Sequence, residues 1–114
     1  MVRRLKIGVW GVGRIGSLHA QNVAASAGRA ELLAVADPVK KLALRVSKNF
    51  DVRTYDNPTQ MLKKEALDGI VIATPTPLHC EHVTLACQAD VPMLLEKPIA
   101  LTMKDADRIV SAVR

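Results

Sequence analysis

The sequence predicts an α/β fold built on a doubly wound, mostly parallel sheet of about five strands. Three observations carry this. Short apolar runs alternate with stretches of helical spacing along the whole chain, a glycine-rich turn follows the first run, and no repeat, low-complexity tract or linker breaks the alternation. With 114 residues there is room for one domain, which buries roughly 60–70% of its unfolded surface.

Leu5-Lys6-Ile7-Gly8-Val9-Trp10 reads as the first strand. Gly16, Ala20, Val23, Ala24 and Ala27 then recur at helical spacing and are nearly all small, so that helix face can approach a sheet closely; Gly28 is its stop signal. Glu31-Leu32-Leu33-Ala34-Val35-Ala36 is almost wholly apolar, as a parallel strand covered on both faces requires. Val39, Leu42, Ala43, Val46 and Phe50 mark a second helix with Lys40, Lys41, Arg45 and Lys48 on its other side, and a weak strand follows near Val52. Asn57-Pro58 opens a short helix running through Leu62, with asparagine as cap and proline in the first turn.

Gly69-Ile70-Val71-Ile72-Ala73 is the clearest strand. A helix from about residue 78 to residue 89 is expected to bury Leu78, His82, Leu85, Ala86 and Ala89. Residues 91–95 form a further strand. Thr102-Met103-Lys104-Asp105 resembles a capping box with Asp in place of Glu, ahead of a helix burying Ala106, Ile109, Val110 and Val113. A doubly wound sheet would next lay down a sixth strand, so the chain reads as a truncated domain.

Composition narrows the function classes. Sixteen basic against eleven acidic residues give a net charge of +5, but the basic residues are scattered. Only Trp10, Phe50 and Tyr55 are available for base stacking, which argues against nucleic acid. The uncharged stretch at residues 69–80 holds two prolines and is too short to span a bilayer. No apolar segment backs the basic start, so no signal peptide is read and a cytoplasmic location is expected. Cys80 and Cys87 lie about 10 Å apart along a helix, too far for a disulfide, and are expected to be reduced. His79, Cys80, Glu81, His82 and Cys87 do not meet zinc spacing, so no metal site is read. Trp10 is assigned to sheet packing.

The chemistry is written at the ends of the strands. Gly11-Val12-Gly13-Arg14-Ile15-Gly16 is a G-x-G-x-x-G motif that follows a strand, opens a helix and precedes a second strand ending in an acid. In that context Gly11 makes the tight turn, Gly13 lets backbone approach a pyrophosphate, and Gly16 lets the helix pack closely. Free N–H groups at the helix start favour the phosphates. The bland alternative is a glycine-rich turn that binds no nucleotide. Asp37 stands 21 residues after Gly16, near the ~20 expected of a ribose-binding acid. A carboxylate there repels a 2′-phosphate, which argues for NAD over NADP, although Lys40 and Lys41 soften the preference. Asp37 also fits a helix cap ahead of Pro38, and one residue can serve both ends. Thr74, Pro75 and His79 follow the fourth strand and Glu96-Lys97-Pro98 the fifth, so both segments emerge at the carboxyl edge beside the glycine turn. A Glu-Lys pair there is either functional or an ordinary surface pair.

Taken in order, the glycine fingerprint, Ala36-Asp37-Pro38, Ala73-Thr74-Pro75 with His79, and Glu96-Lys97-Pro98 followed by Ile99-Ala100-Leu101-Thr102 resemble the N-terminal domain of the Gfo/Idh/MocA oxidoreductases. The resemblance covers nearly the whole chain. It implies a Rossmann domain over residues 1–114 and hydride transfer between a nicotinamide cofactor and a carbinol of a sugar, inositol or related polyol. It further implies that Lys97 reaches the reacting hydroxyl and nicotinamide ribose, that Glu96 helps fix the cofactor, and that Thr74, Pro75 and His79 line the nicotinamide side. The Lys97-Pro98 bond is expected to be cis. Thr76-Pro77 departs from the family, which commonly has Asn after Thr-Pro. The family's second α+β domain, which carries the substrate wall, a catalytic histidine and the usual homo-oligomer interface, is not in this sequence, so the isolated chain is expected to turn over little or nothing. Two other readings use the same front half: a non-catalytic dinucleotide sensor, which needs Gly13 and Asp37 but not Lys97, and a reductase of another substrate class.

Overall fold

A computed structural model describes residues 3–26 and 28–114. Five strands, β1 (Leu5–Trp10), β2 (Ala30–Ala36), β3 (Arg53–Tyr55), β4 (Gly69–Ile72) and β5 (Met93–Leu95), form one sheet in the order β3-β2-β1-β4-β5. Every pairing is parallel. The helices are α1 (Arg14–Ala25), α2 (Lys40–Phe50), α3 (Pro58–Lys64), α4 (His79–Gln88) and α5 (Met103–Val113), with a 3₁₀ turn at Thr76–Leu78. The α/β class, the five strands and the doubly wound order are those the sequence predicts, with the sheet wholly parallel.

Side chains on a strand alternate between faces, so the central strands β1, β2 and β4 feed two cores. Val9, Val35 and Val71 meet Ala20 of α1 and Ala43 and Val46 of α2 on one side. Trp10, Ala34, Ala36, Ile70 and Ile72 meet Met61 of α3, Val83 and Ala86 of α4 and Ile109 of α5 on the other. Trp10 is fully buried, its indole N–H 3.3 Å from the Met61 sulfur. Its role is packing. Asn57 caps α3 through the Gln60 N–H, and Thr102 caps α5 through the Asp105 N–H.

Three expectations are corrected. The α1 helix ends at Ala25, with Ser26 as its cap, before Gly28 turns the chain at φ +92°; Ala27, placed on the buried face from sequence, lies outside the described residues. In α4 the buried residues are His79, His82, Val83 and Ala86, whereas Leu78 and Ala89 are exposed and Leu85 is half-buried. Pro75 caps, and Pro77 lies within, a 3₁₀ turn with three residues per turn, which rotates the helix out of the phase read from Leu78. In α5 Ile109 is buried and Ala112 packs on the core, but Val110 and Val113 are exposed, because the apolar surface of α5 is wider than the face turned to the core. Cys80 and Cys87 are free thiols, each half-buried. No helix among the described residues is long and apolar enough to cross a membrane.

Candidate functional site

Because all strands run the same way, the segments after β1, β2, β4 and β5 meet at one edge. The chain winds outward from β1 through β2 to β3, then returns to β4 and β5 on the other side of β1. That reversal leaves a crevice at the carboxyl ends of β1 and β4, where open α/β sheets bind ligands. A cleft of about 630 Å³ lies there, within the range of cofactor pockets. The glycine turn, Asp37, Thr74, Pro75, His79, Glu96 and Lys97 all line it. Of the sequence-predicted site residues only Val12 does not, being buried beneath the turn.

The three glycines do different things. Gly11 has φ +84°, and a Cβ on it would stand 2.7 Å from the Ala73 carbonyl oxygen. A Cβ on Gly16 would stand 1.7 Å from the Gly11 carbonyl oxygen. Both positions are closed by the protein's own backbone. A Cβ on Gly13 would meet nothing within 4 Å. Gly13 is the N-cap of α1, with no side chain capping it and no acid in the first turn. The first N–H groups of α1 therefore keep their hydrogens for an outside acceptor, at the positive end of the helix dipole.

Asp37 is almost buried, yet fully partnered. One carboxylate oxygen accepts the Val12 N–H at 2.9 Å and the other the Val39 N–H at 2.8 Å. The first bond ties the end of β2 to the glycine turn. The second is an Asx turn two residues ahead, and Val39, not Asp37, is the N-cap of α2. A carboxylate offers about four acceptor positions, so each oxygen retains capacity toward the cleft.

On the other side of the glycine turn, histidines organise the loops. The Thr74 hydroxyl and His82 Nδ1 are hydrogen-bonded at 2.8 Å. Both ring nitrogens of the buried His79 meet main-chain carbonyls, Nε2 that of Thr74 at 2.8 Å and Nδ1 that of Ile99 at 3.1 Å. His79 thus joins the turn after β4 to the segment after β5 and offers the cleft no free nitrogen. Lys97-Pro98 is cis, as expected. Glu96 Oε1 accepts the Lys97 N–H at 3.2 Å, and its Oε2 lies 2.7 Å from Nε2 of His19 on α1. The His19 bond, followed by the Lys97 N–H, holds the Glu96 carboxyl below the usual carboxylate range. Sequence reasoning missed His19. The available signal was its place three residues after Gly16, on the helix side that faces the strand ends.

Burial pushes the His82 imidazole below its ordinary value, with Glu81 opposing and the nearby His79 adding a smaller push the same way. An unfolded His82 takes up a proton near pH 6.5 that the folded one resists, so stability is complete above that pH and falls below it. Glu65, held low first by its Arg53 hydrogen bond, and Asp68, held low first by the Lys6 N–H, continue the loss as pH drops through the carboxylate range. Urea unfolding followed from pH 7.5 to pH 5 is expected to show the midpoint falling with pH, and His82→Gln to flatten that slope. A flat profile in the unsubstituted chain above pH 5 would refute this.

The sequence profile described as an oxidoreductase family with an NAD-binding Rossmann fold, Gfo/Idh/MocA, matches residues 5–114. The chain belongs to the Gfo/Idh/MocA family. Among its relatives, the rhizopine catabolism protein MocA of Rhizobium meliloti is 34% identical over 103 residues, covering 90% of this chain and 32% of that protein. The scyllo-inositol 2-dehydrogenase (NAD(+)) of Bacillus subtilis is 29% identical over 93% of this chain and 31% of its own length. The WlbA dehydrogenase of Bordetella pertussis, solved with NADH and UDP-GlcNAcA, superposes with a TM-score of 0.91 at 30% identity, over 96% of this chain and 34% of that one. The Lactobacillus casei scyllo-inositol dehydrogenase, solved with NAD(H) and scyllo-inositol, gives 0.91 at 26% identity, over 97% and 33%. This Gfo/Idh/MocA chain therefore spans about a third of the length of the relatives it matches.

Proposed function

We propose that this chain is the nucleotide-binding portion of an NAD-dependent oxidoreductase acting on a carbinol carbon of a sugar, inositol or related polyol. The observation that carries the reading is the open space over Gly13 at an uncapped helix start, beside an Asp37 carboxylate fastened to the same turn. A diphosphate fits the first and ribose hydroxyls the second. The nicotinamide ring would accept or supply the hydride. This chain's residues bind and orient: the N–H groups of residues 14–16 face the phosphates, Asp37 holds the adenosine ribose, and Thr74 and Pro75 form the wall beside β4. Lys97, exposed at the mouth of the cleft, presents an ammonium to the reacting hydroxyl. In this reading the rest of the substrate wall and the proton acceptor belong to the part of the relatives' length that this chain does not span.

The oxidoreductase names of several relatives, among them inositol 2-dehydrogenases and UDP-N-acetylglucosamine 3-dehydrogenase, support a polyhydroxylated substrate. Calorimetric titration of the chain with NAD is expected to give one-site binding, with no NADH formed on adding inositols. Absence of heat at millimolar NAD, with the fold intact by circular dichroism, would overturn the coenzyme assignment. Polyol-dependent NADH production by the chain alone would overturn the division of labour.

A further inference from the structure

The segment after β5 is braced by two imidazoles from two different helices. His79 of α4 holds it at the Ile99 carbonyl. His19 of α1 holds it at Glu96, 77 residues away in sequence. Lys97 lies between these two points. A carboxylate only accepts, so His19 donates its Nε2–H to Glu96, and the second oxygen of Glu96 receives the Lys97 N–H. The chain of contacts runs from the helix that begins at the glycine turn, through one carboxylate, to the backbone of the lysine.

We propose that His19 is a positioning residue: through Glu96 it sets the Lys97 segment against the half of the cleft that takes the second nucleoside of a dinucleotide. The inference rests on the coenzyme reading above. Strand order supplies the geometry, because Asp37 follows β2 on one flank of β1 while Glu96 and Lys97 follow β5 on the other. A dinucleotide anchored by ribose at Asp37 and by phosphates over Gly13 extends its second nucleoside toward β4 and β5. His19 is half-buried, and its partner Glu96 lines that half of the cleft, whereas neither Asp37 nor Gly13 is among its hydrogen-bond partners. Its loss should therefore weaken one half of the ligand and spare the other.

The test is the ratio of NAD to ADP affinity, measured by calorimetry on the chain and its variants, with melting followed in parallel. ADP carries the adenosine and diphosphate but lacks the second nucleoside. His19→Ala is expected to lower the ratio about tenfold, the loss of one charge-assisted hydrogen bond, with ADP affinity unchanged. His19→Gln, which restores an N–H donor, should recover most of it. Glu96→Gln is the second variant should His19→Ala not fold, and it should lower the same ratio. An unchanged ratio in either variant overturns the proposal, as does an equal loss of NAD and ADP affinity, which marks a general structural role. Failure of the unsubstituted chain to bind either ligand overturns the coenzyme reading itself and this inference with it, whereas normal ADP binding with an unmoved ratio overturns only the role of His19.

Discussion

Gly16→Ala is expected to destabilise the fold by about 3 kcal/mol or more, while Gly13→Ala leaves it standing and removes coenzyme binding. The two glycines are three residues apart in one motif, and the structure separates their tasks. A methyl at Gly16 falls 1.7 Å from the Gly11 carbonyl oxygen, where no real Cβ sits closer than 3.0 Å. The obstacle is backbone, so no side chain can swing aside. Helix α1 or the turn itself must move by more than an ångström. Overpacking in well-filled interiors costs about 1–3 kcal/mol and sometimes more, and this site lies at the severe end. Against a total stability of roughly 5–15 kcal/mol, melting should fall by about 15 °C.

At Gly13 the added methyl meets nothing, and φ −68° suits any L-residue. Its stability should fall by only about 1 kcal/mol, the preference of an N-cap for Gly over Ala, so the fold stands. The methyl instead occupies the space a diphosphate needs, and NAD affinity should drop by about 10- to 100-fold. Thermal melts and NAD titrations of both variants check the pair. A folded, binding-competent Gly16→Ala would contradict the packing argument, and unimpaired NAD binding by Gly13→Ala would move the phosphates elsewhere.

What the sequence disclosed of this fold follows from how its signals are made. Glycine and proline punctuate the chain, and β-branched runs fill the gaps, so β1 is placed to the residue and β4 to within one at its end. The cap at Asn57 was legible because it is local chemistry over three residues. The phase of α4 was not. It depends on a 3₁₀ turn that consumes residues at a different rate from an α-helix, and no periodicity in the helix itself records this.

The site divides in the same way. Glycine and Asp37 positions come from a motif with fixed spacing, whereas the bond from the Val12 N–H to Asp37 requires the register between β1 and β2. The His19–Glu96 bond requires the crossing of α1 over the end of a strand laid down much later in the chain. His79 was placed at the cleft from its loop and lines it, and its two carbonyl partners, which the sequence does not show, make it a brace as well. Long-range partners decide what a polar side chain does, and one sequence does not print them.

Asp37→Asn should move stability and binding together, which neither glycine variant does. Both oxygens of the carboxylate receive backbone N–H groups, from Val12 and from Val39. An amide replaces one oxygen by an NH₂ group, so whichever way it turns one N–H donor faces another. The unmatched donor costs about 1–3 kcal/mol when buried, and the smaller loss results if the NH₂ is turned to the less buried Val39 side. Binding suffers separately. In the proposed complex the carboxylate accepts from two ribose hydroxyls at once, while the amide has a single acceptor oxygen already wanted by Val12. NAD affinity is therefore expected to fall by about 30-fold, near 2 kcal/mol. The same change removes a negative charge that opposes a 2′-phosphate, near the start of α2 with its Lys40 and Lys41. NADP should thus lose less than NAD, and the ratio of the two affinities should shift toward NADP. Titrating both coenzymes into the folded variant separates these effects from unfolding. Equal loss for the two would assign Asp37 to holding the glycine turn alone, with the choice between coenzymes made by other residues of the cleft.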